Sequence, residues 1–170
     1  MTVKERGIVT EPLTISQPSP TRWVRCEAFT HDDAFRKAFE AAVGIAPPKP
    51  VTWAVANEGR VVWAEVKAWL VEADAEPLAE RLQDVAAISD VSHAWRAIDV
   101  KGSNWRELLA HETTLDAFSP ALAPGAVVAG LWSHGPVMVL VRSDAEITLY
   151  GPPSLAHHLS EVLNHLAGWV

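Results

Sequence analysis

The chain has 170 residues, a formal net charge of −7, 49% hydrophobic and 21% charged residues, and one cysteine. That balance excludes an intrinsically disordered chain, and the acidity, with no basic run, excludes a nucleic-acid binder that tracks phosphates. Cys26 alone excludes an intramolecular disulfide, and no apolar run approaches the roughly 20 residues of a membrane helix. Met1 to Thr10 lacks the apolar centre of a secretory signal, so the expected setting is cytoplasmic.

Residues 1–20 carry no sustained periodicity and end in Gln17-Pro-Ser-Pro20; they are expected to form a flexible arm. A single α+β domain is expected over 21–170. Its first strand is predicted at about Thr21 to Phe29. Thr30 then suits an N-cap, and Asp32 and Asp33 suit the first turn of a helix running to Val43. That helix buries Phe35, Ala38, Phe39 and Ala42 at i, i+3, i+4, i+7 spacing, and Gly44 stops it.

Val51 to Ala56 reads as a strand, and Asn57-Glu58-Gly59 as a three-residue hairpin loop that pairs Trp53 with Trp63, preferred over a two-residue loop that would put Trp53 on the face opposite Trp63. The long stretch Arg60 to Val71 alternates at period two. Val62, Ala64, Val66, Ala68 and Leu70 make one small apolar face. Val61, Trp63, Glu65, Lys67, Trp69 and Val71 make the other. It reads as one long central strand. An acidic helix follows from about Glu76 to Ile88, with Asp74 as cap and Leu78, Leu82, Val85 and Ala86 turned inward. A strand is then expected at about Val91 to Asp99.

Strand, helix, strand, strand, helix, strand is the ferredoxin-like βαββαβ order, in which two helices cover one sheet face. The bare face would carry Trp53, Trp63, Glu65, Lys67, Trp69, His93 and Trp95. Residues 101–170 read as an α-βββ-α part packed in the same globule. Its helix runs from Ser103 or Asn104 to about Asp116. Strands follow at Val127 to Ser133, Pro136 to Arg142 and Glu146 to Tyr150, then an amphipathic helix carrying Leu155, Leu159, Val162, Leu163 and Leu166. Pro136 to Val141 is apolar at every position and should be buried on both faces.

Four groupings carry possible chemistry. His158, Glu161 and His165 share one side of the last helix, as metal ligands would, but lie beside its apolar stripe, which suits a solvated face. His111-Glu-Thr-Thr-Leu115 starts like a zinc-protease helix, yet Leu115 stands where the second histidine is required. Cys26 reads as a small buried thiol. Ser133, His134 and Asp144 form no nucleophile-elbow pattern.

The sheet face is therefore the leading signal, because Glu65 and Lys67 between Trp63 and Trp69 suit no sealed core. The reading is a non-catalytic protein-binding domain (adaptor, inhibitor or immunity-type partner), bound to another protein or to itself as a homodimer, with no cofactor or metal. Trp63 and Trp69 would be its anchors. The alternative is a small-molecule-binding protein or enzyme with a pocket over the same face. There His93, Glu65 and Lys67 would be acid/base groups, and Trp63 and Trp95 walls.

Overall fold

The computed structural model describes residues 12–57 and 59–169. Ten strands and four helices alternate along it: β1 Thr14–Ser16, β2 Trp23–Ala28, α1 Asp33–Val43, β3 Trp53–Val55, β4 Arg60–Glu65, β5 Ala68–Glu72, α2 Ala75–Leu82, β6 Ala86–Asp90 and β7 Arg96–Lys101. Then come α3 Trp105–Ala110, β8 Val127–Trp132, β9 Gly135–Ser143, β10 Glu146–Gly151 and α4 Ala156–Ala167. The strands form two five-stranded antiparallel sheets, ordered β3-β4-β5-β2-β6 and β1-β7-β10-β9-β8.

Alternation along the strands sorts side chains into three cores. Val24, Cys26, Val61, Trp69 and Val71 point outward from the first sheet and meet Phe35 and Phe39 of α1 and Leu78 and Leu82 of α2. Ile98, Val139, Val141 and Leu149 of the second sheet meet Leu108 of α3 and Leu159 and Leu163 of α4. Between the sheets lie Trp23, Val62 and Leu70 on one side and Val127, Met138, Leu140 and Tyr150 on the other. The layers run helix, sheet, sheet, helix. As its composition demanded, β9 is buried on both faces: Val137, Val139 and Val141 under helices, Met138 and Leu140 against the first sheet.

Several expectations are corrected. Arg60 to Val71 is not one strand but the hairpin β4–β5, turning at Val66 and Lys67, where Lys67 has φ +63° and Val66 is 81% exposed. The register is Val61↔Val71, Val62↔Leu70 and Trp63↔Trp69. These pairs join positions of equal parity, and only the shift to Glu65↔Ala68 beside the turn departs from it, so the period-two pattern carries through most of the fold-back, which is why alternation did not reveal it. The register Trp53↔Val62 likewise replaces the expected pairing with Trp63: Ala56 N–H donates to the Gly59 carbonyl, and Trp53 faces the opposite way from Trp63.

α2 stops at Leu82, seven residues after it begins, and Ala86–Asp90 becomes a strand against β2. The apolar Ala86, Ala87 and Ile88 continue a helical pattern, but the open edge of β2 claims their backbone. Residues 91–95 are a connection, and β7 crosses into the second sheet. α3 ends at Ala110, and Thr113 bridges to Trp132. Thr14–Ser16, expected within the arm, pairs with β7; the arm's residues 1–11 lie outside the described residues.

Candidate functional site

The residues expected on one sheet face lie in four places. Trp69 is buried, stacked on Phe35 with centroids 5.2 Å apart, and its indole donates to the Pro48 carbonyl at 3.0 Å. Trp63, its cross-strand partner, packs half-buried on the same helix-covered core. Trp53 and Trp95 belong instead to the core between the sheets, and the Trp53 indole donates to the Val141 carbonyl at 3.0 Å. Glu65 is exposed and paired with Arg25, Lys67 sits at the β4–β5 turn, and His93 is exposed on the β6–β7 connection. The helices cover the tryptophan side of β4–β5, and the second sheet covers its small apolar side.

The other groupings also separate. His158 Nε2 lies 3.1 Å from Ser133 Oγ, Glu161 pairs with His157 at 3.3 Å, and His165 packs on Trp169. Among the described residues no three His, Cys, Asp or Glu side chains are placed to hold a metal ion. Ser133 and His134 form the turn before β9, while Asp144 follows β9 at its far end, so they share no site. Cys26 is fully buried, and burial pushes its thiol up to about 12.

What the fold does bring together is a cleft of about 320 Å³ at one end of the first sheet, where α1, α2 and the β3–β4 connection converge. From α2 come Asp74, Pro77, Leu78 and Arg81, at i, i+3, i+4 and i+7. This spacing puts all four on one helix face. Ala41 and Ala42 of α1 form a second wall, and Ala56, Asn57 and Gly59 a third. Small side chains keep it open. At Gly44, which has φ +90° and closes α1, an added Cβ would collide with the Asn57 side chain, so the turn and the cleft wall are fitted to each other.

Its charges are arranged rather than scattered. Glu72, at the end of β5, takes both its oxygens to Arg60, at 2.8 Å from Nε and 3.1 Å from Nη2. Arg60 lies over the rings of Trp23 and Tyr150, with its charge 5.6 and 5.9 Å from their centroids. Asp74 occupies the N-cap position of α2 but does not cap it; one of its oxygens is held by Arg22 instead. Arg81, in the last turn, donates to the Ala42 carbonyl at 3.2 Å. A wider, shallower cleft of about 690 Å³ continues past Asp74 and Pro77 to His93 and Arg96.

The chain is similar in fold to two enzymes. Over 92% of its length, and 84% of the matched chain, it resembles a chain of the heterotetrameric sarcosine oxidase from Corynebacterium sp. U-96 in complex with pyrrole 2-carboxylate, with TM-score 0.79 and 18% identity. It also resembles the glycine cleavage system aminomethyltransferase T from Bartonella henselae, with TM-score 0.67 and 13% identity. That match covers 89% of this chain but 45% of the transferase, so the chain spans less than half of that protein. No family model and no curated protein matches the sequence.

At such identities the likeness shows the fold. It also overturns the reading of the chain as a non-catalytic adaptor, inhibitor or immunity-type partner, because the proteins that share the architecture are enzymes. That reading had rested on a missing catalytic motif and on one bare tryptophan face, which the two-sheet packing removes. No described helix is long and apolar enough to cross a membrane. Sequence reasoning had found Asp74 only as a cap and had passed over Asn57, Glu72 and Arg81. The one signal available was the face Asp74, Pro77, Leu78, Arg81, with opposite charges at its ends.

Proposed function

We propose that this chain is a component of a multi-subunit enzyme acting on a small amine or amino acid, and that the α1–α2 cleft is where it takes a small molecule. The observation that carries the reading is the correspondence, nearly end to end in both chains, with a chain of a heterotetrameric sarcosine oxidase. A domain shared with a larger enzyme could match over part of one chain only. Here the match extends over most of both, which supports reading this chain as the counterpart of one chain of an assembly. The second likeness, to an aminomethyltransferase of the glycine cleavage system, supports the same substrate chemistry, since sarcosine is the N-methyl derivative of glycine.

The order β4-β5-β2-β6, with α1 and α2 on one face, supports a ferredoxin-like reading of the first half, with β3 added at its edge. The cleft opens beside that added strand.

The test is purification of the protein from its own source, followed by native mass spectrometry and assay of the same fraction with sarcosine and related N-methyl amines. The expected result is a stoichiometric hetero-oligomer that consumes the amine. A bare monomer or homodimer, with no amine turnover in the fraction that contains it, would sink the proposal.

A further inference from the structure

The α1–α2 cleft has a polarity that selects among small molecules. Asp74 stands at the N-terminal end of α2 and Arg81 in its last turn, on the same helix face, with Pro77 and Leu78 between them. Seven residues at 1.5 Å rise place the two positions about 10 Å apart along the helix axis. Between them the opposite wall is Ala41 and Ala42, with no charge.

Both charged groups keep unused capacity. Arg22 engages one oxygen of Asp74, which leaves the other free to accept from an ammonium group. Arg81 spends one of its donors on the Ala42 carbonyl, and a guanidinium has five, enough to grip a carboxylate as well. Glu72, the remaining carboxylate, is engaged through both oxygens by Arg60, so that pair is neutral and leaves Asp74 as the carboxylate available to a ligand.

We infer that the cleft binds an elongated zwitterion: an ammonium group at Asp74, a carboxylate at Arg81, and a straight aliphatic chain of about 10 Å lying across Pro77, Leu78 and Ala42. Its class is the ω-amino acids of medium length. An α-amino acid, whose two charged groups flank a single carbon, reaches only one end. The inference rests on the reading of the cleft as a small-molecule site.

The experiment titrates the full chain with ω-aminooctanoate, whose extended length is close to the spacing of Asp74 and Arg81 along the helix, and follows amide NMR shifts and binding heat. Octylamine, octanoate and β-alanine are the comparison ligands. Saturable shifts at Asn57, Gly59, Asp74 and Arg81, with ω-aminooctanoate binding more tightly than all three, are expected. Arg81→Gln should weaken ω-aminooctanoate about tenfold while leaving octylamine unchanged, the loss of one charge-assisted contact. Asp74→Asn should do the converse with octanoate. Ala42→Leu should fill the cleft and abolish binding in a protein that still melts cooperatively.

Shifts confined elsewhere, no saturation, or an affinity indifferent to Arg81→Gln would overturn the inference. A native hetero-oligomer that turns over amines while its small chain ignores ω-aminooctanoate would sink this inference and leave the proposed function standing. Binding by the isolated chain with no assembly would do the reverse.

Discussion

Replacing Trp69 tests the fold where sequence and structure part. The side chain is 1% exposed, stacks on Phe35, meets Phe39 at 5.9 Å and His31 at 5.3 Å, and donates to the Pro48 carbonyl. Truncating a buried tryptophan to alanine costs about 3–5 kcal/mol. The carbonyl left without its donor adds about 1 kcal/mol. A total of about 4–6 kcal/mol is a large share of the ~5–15 kcal/mol by which domains are stable, so Trp69→Ala should bring the protein close to unfolding. Trp69→Phe keeps most of the ring and loses the N–H, and should cost about 1–2 kcal/mol.

Val66→Ala supplies the contrast. In one continuous strand Val66 would share a buried face with Val62 and Leu70; at the tip of a hairpin it is 81% exposed, and its loss should stay within about 0.5 kcal/mol. Urea unfolding followed by near-ultraviolet circular dichroism and by fluorescence gives these differences, with coincident curves securing a two-state treatment. A loss under about 1 kcal/mol for Trp69→Ala, or a core-sized loss of about 2 kcal/mol for Val66→Ala, would refute the hairpin and its packing on α1.

Two further expectations concern buried groups. In the folded protein burial holds the Cys26 thiol up to about 12, against its ordinary value of 9.0, so above pH 9 the unfolded chain releases a proton that the folded chain keeps. Stability therefore falls as pH rises from about 9 to about 12, by at most about 1.4 kcal/mol per pH unit for this group. Urea midpoints between pH 8 and 10 should drop more steeply in the wild type than in Cys26→Ala, which keeps only the later contribution of Tyr150, likewise raised by burial to about 12; a wild type no steeper than Cys26→Ala would rule out this titration. Arg60→Met should cost about 1–2 kcal/mol by leaving the half-buried Glu72 with only the backbone N–H of residue 60, and Arg60→Met with Glu72→Gln should recover much of that. A double variant no more stable than the single, measured by the same urea curves, would refute the pairing.

What could be read from the sequence was local. Gly44 as the stop of α1, the run of Phe35 and Phe39 along one helix face and the doubly buried β9 all follow from side-chain chemistry within a short window, while the turns expected at His134-Gly135 and Ser143-Asp144 fall one residue away, at 133–134 and 144–145. Of the small face Val62, Ala64, Val66, Ala68 and Leu70, expected to lie inward, Val62, Ala64 and Leu70 do face the core between the sheets, whereas Val66 is exposed at the turn. What covers each face could not be read. Helices could have packed on either side of β4–β5, and only the tertiary structure puts the tryptophans beneath α1 and the small residues against a second sheet.

The candidate site was less legible still. Ala41 and Ala42 on α1, Asn57 and Gly59 on a turn and Arg81 on α2 meet only because the β3–β4 hairpin carries the turn back beside α1. Composition and charge decided that this chain folds, that it carries no disulfide, and which residues are inward; alternation decided the faces. It could not decide that Arg60 to Val71 turns back on itself, because pairing residues of equal parity preserves the very pattern a single strand would show. The choice between strand and hairpin was made by long-range burial, where Trp69 finds Phe35, and not by any property of the stretch alone.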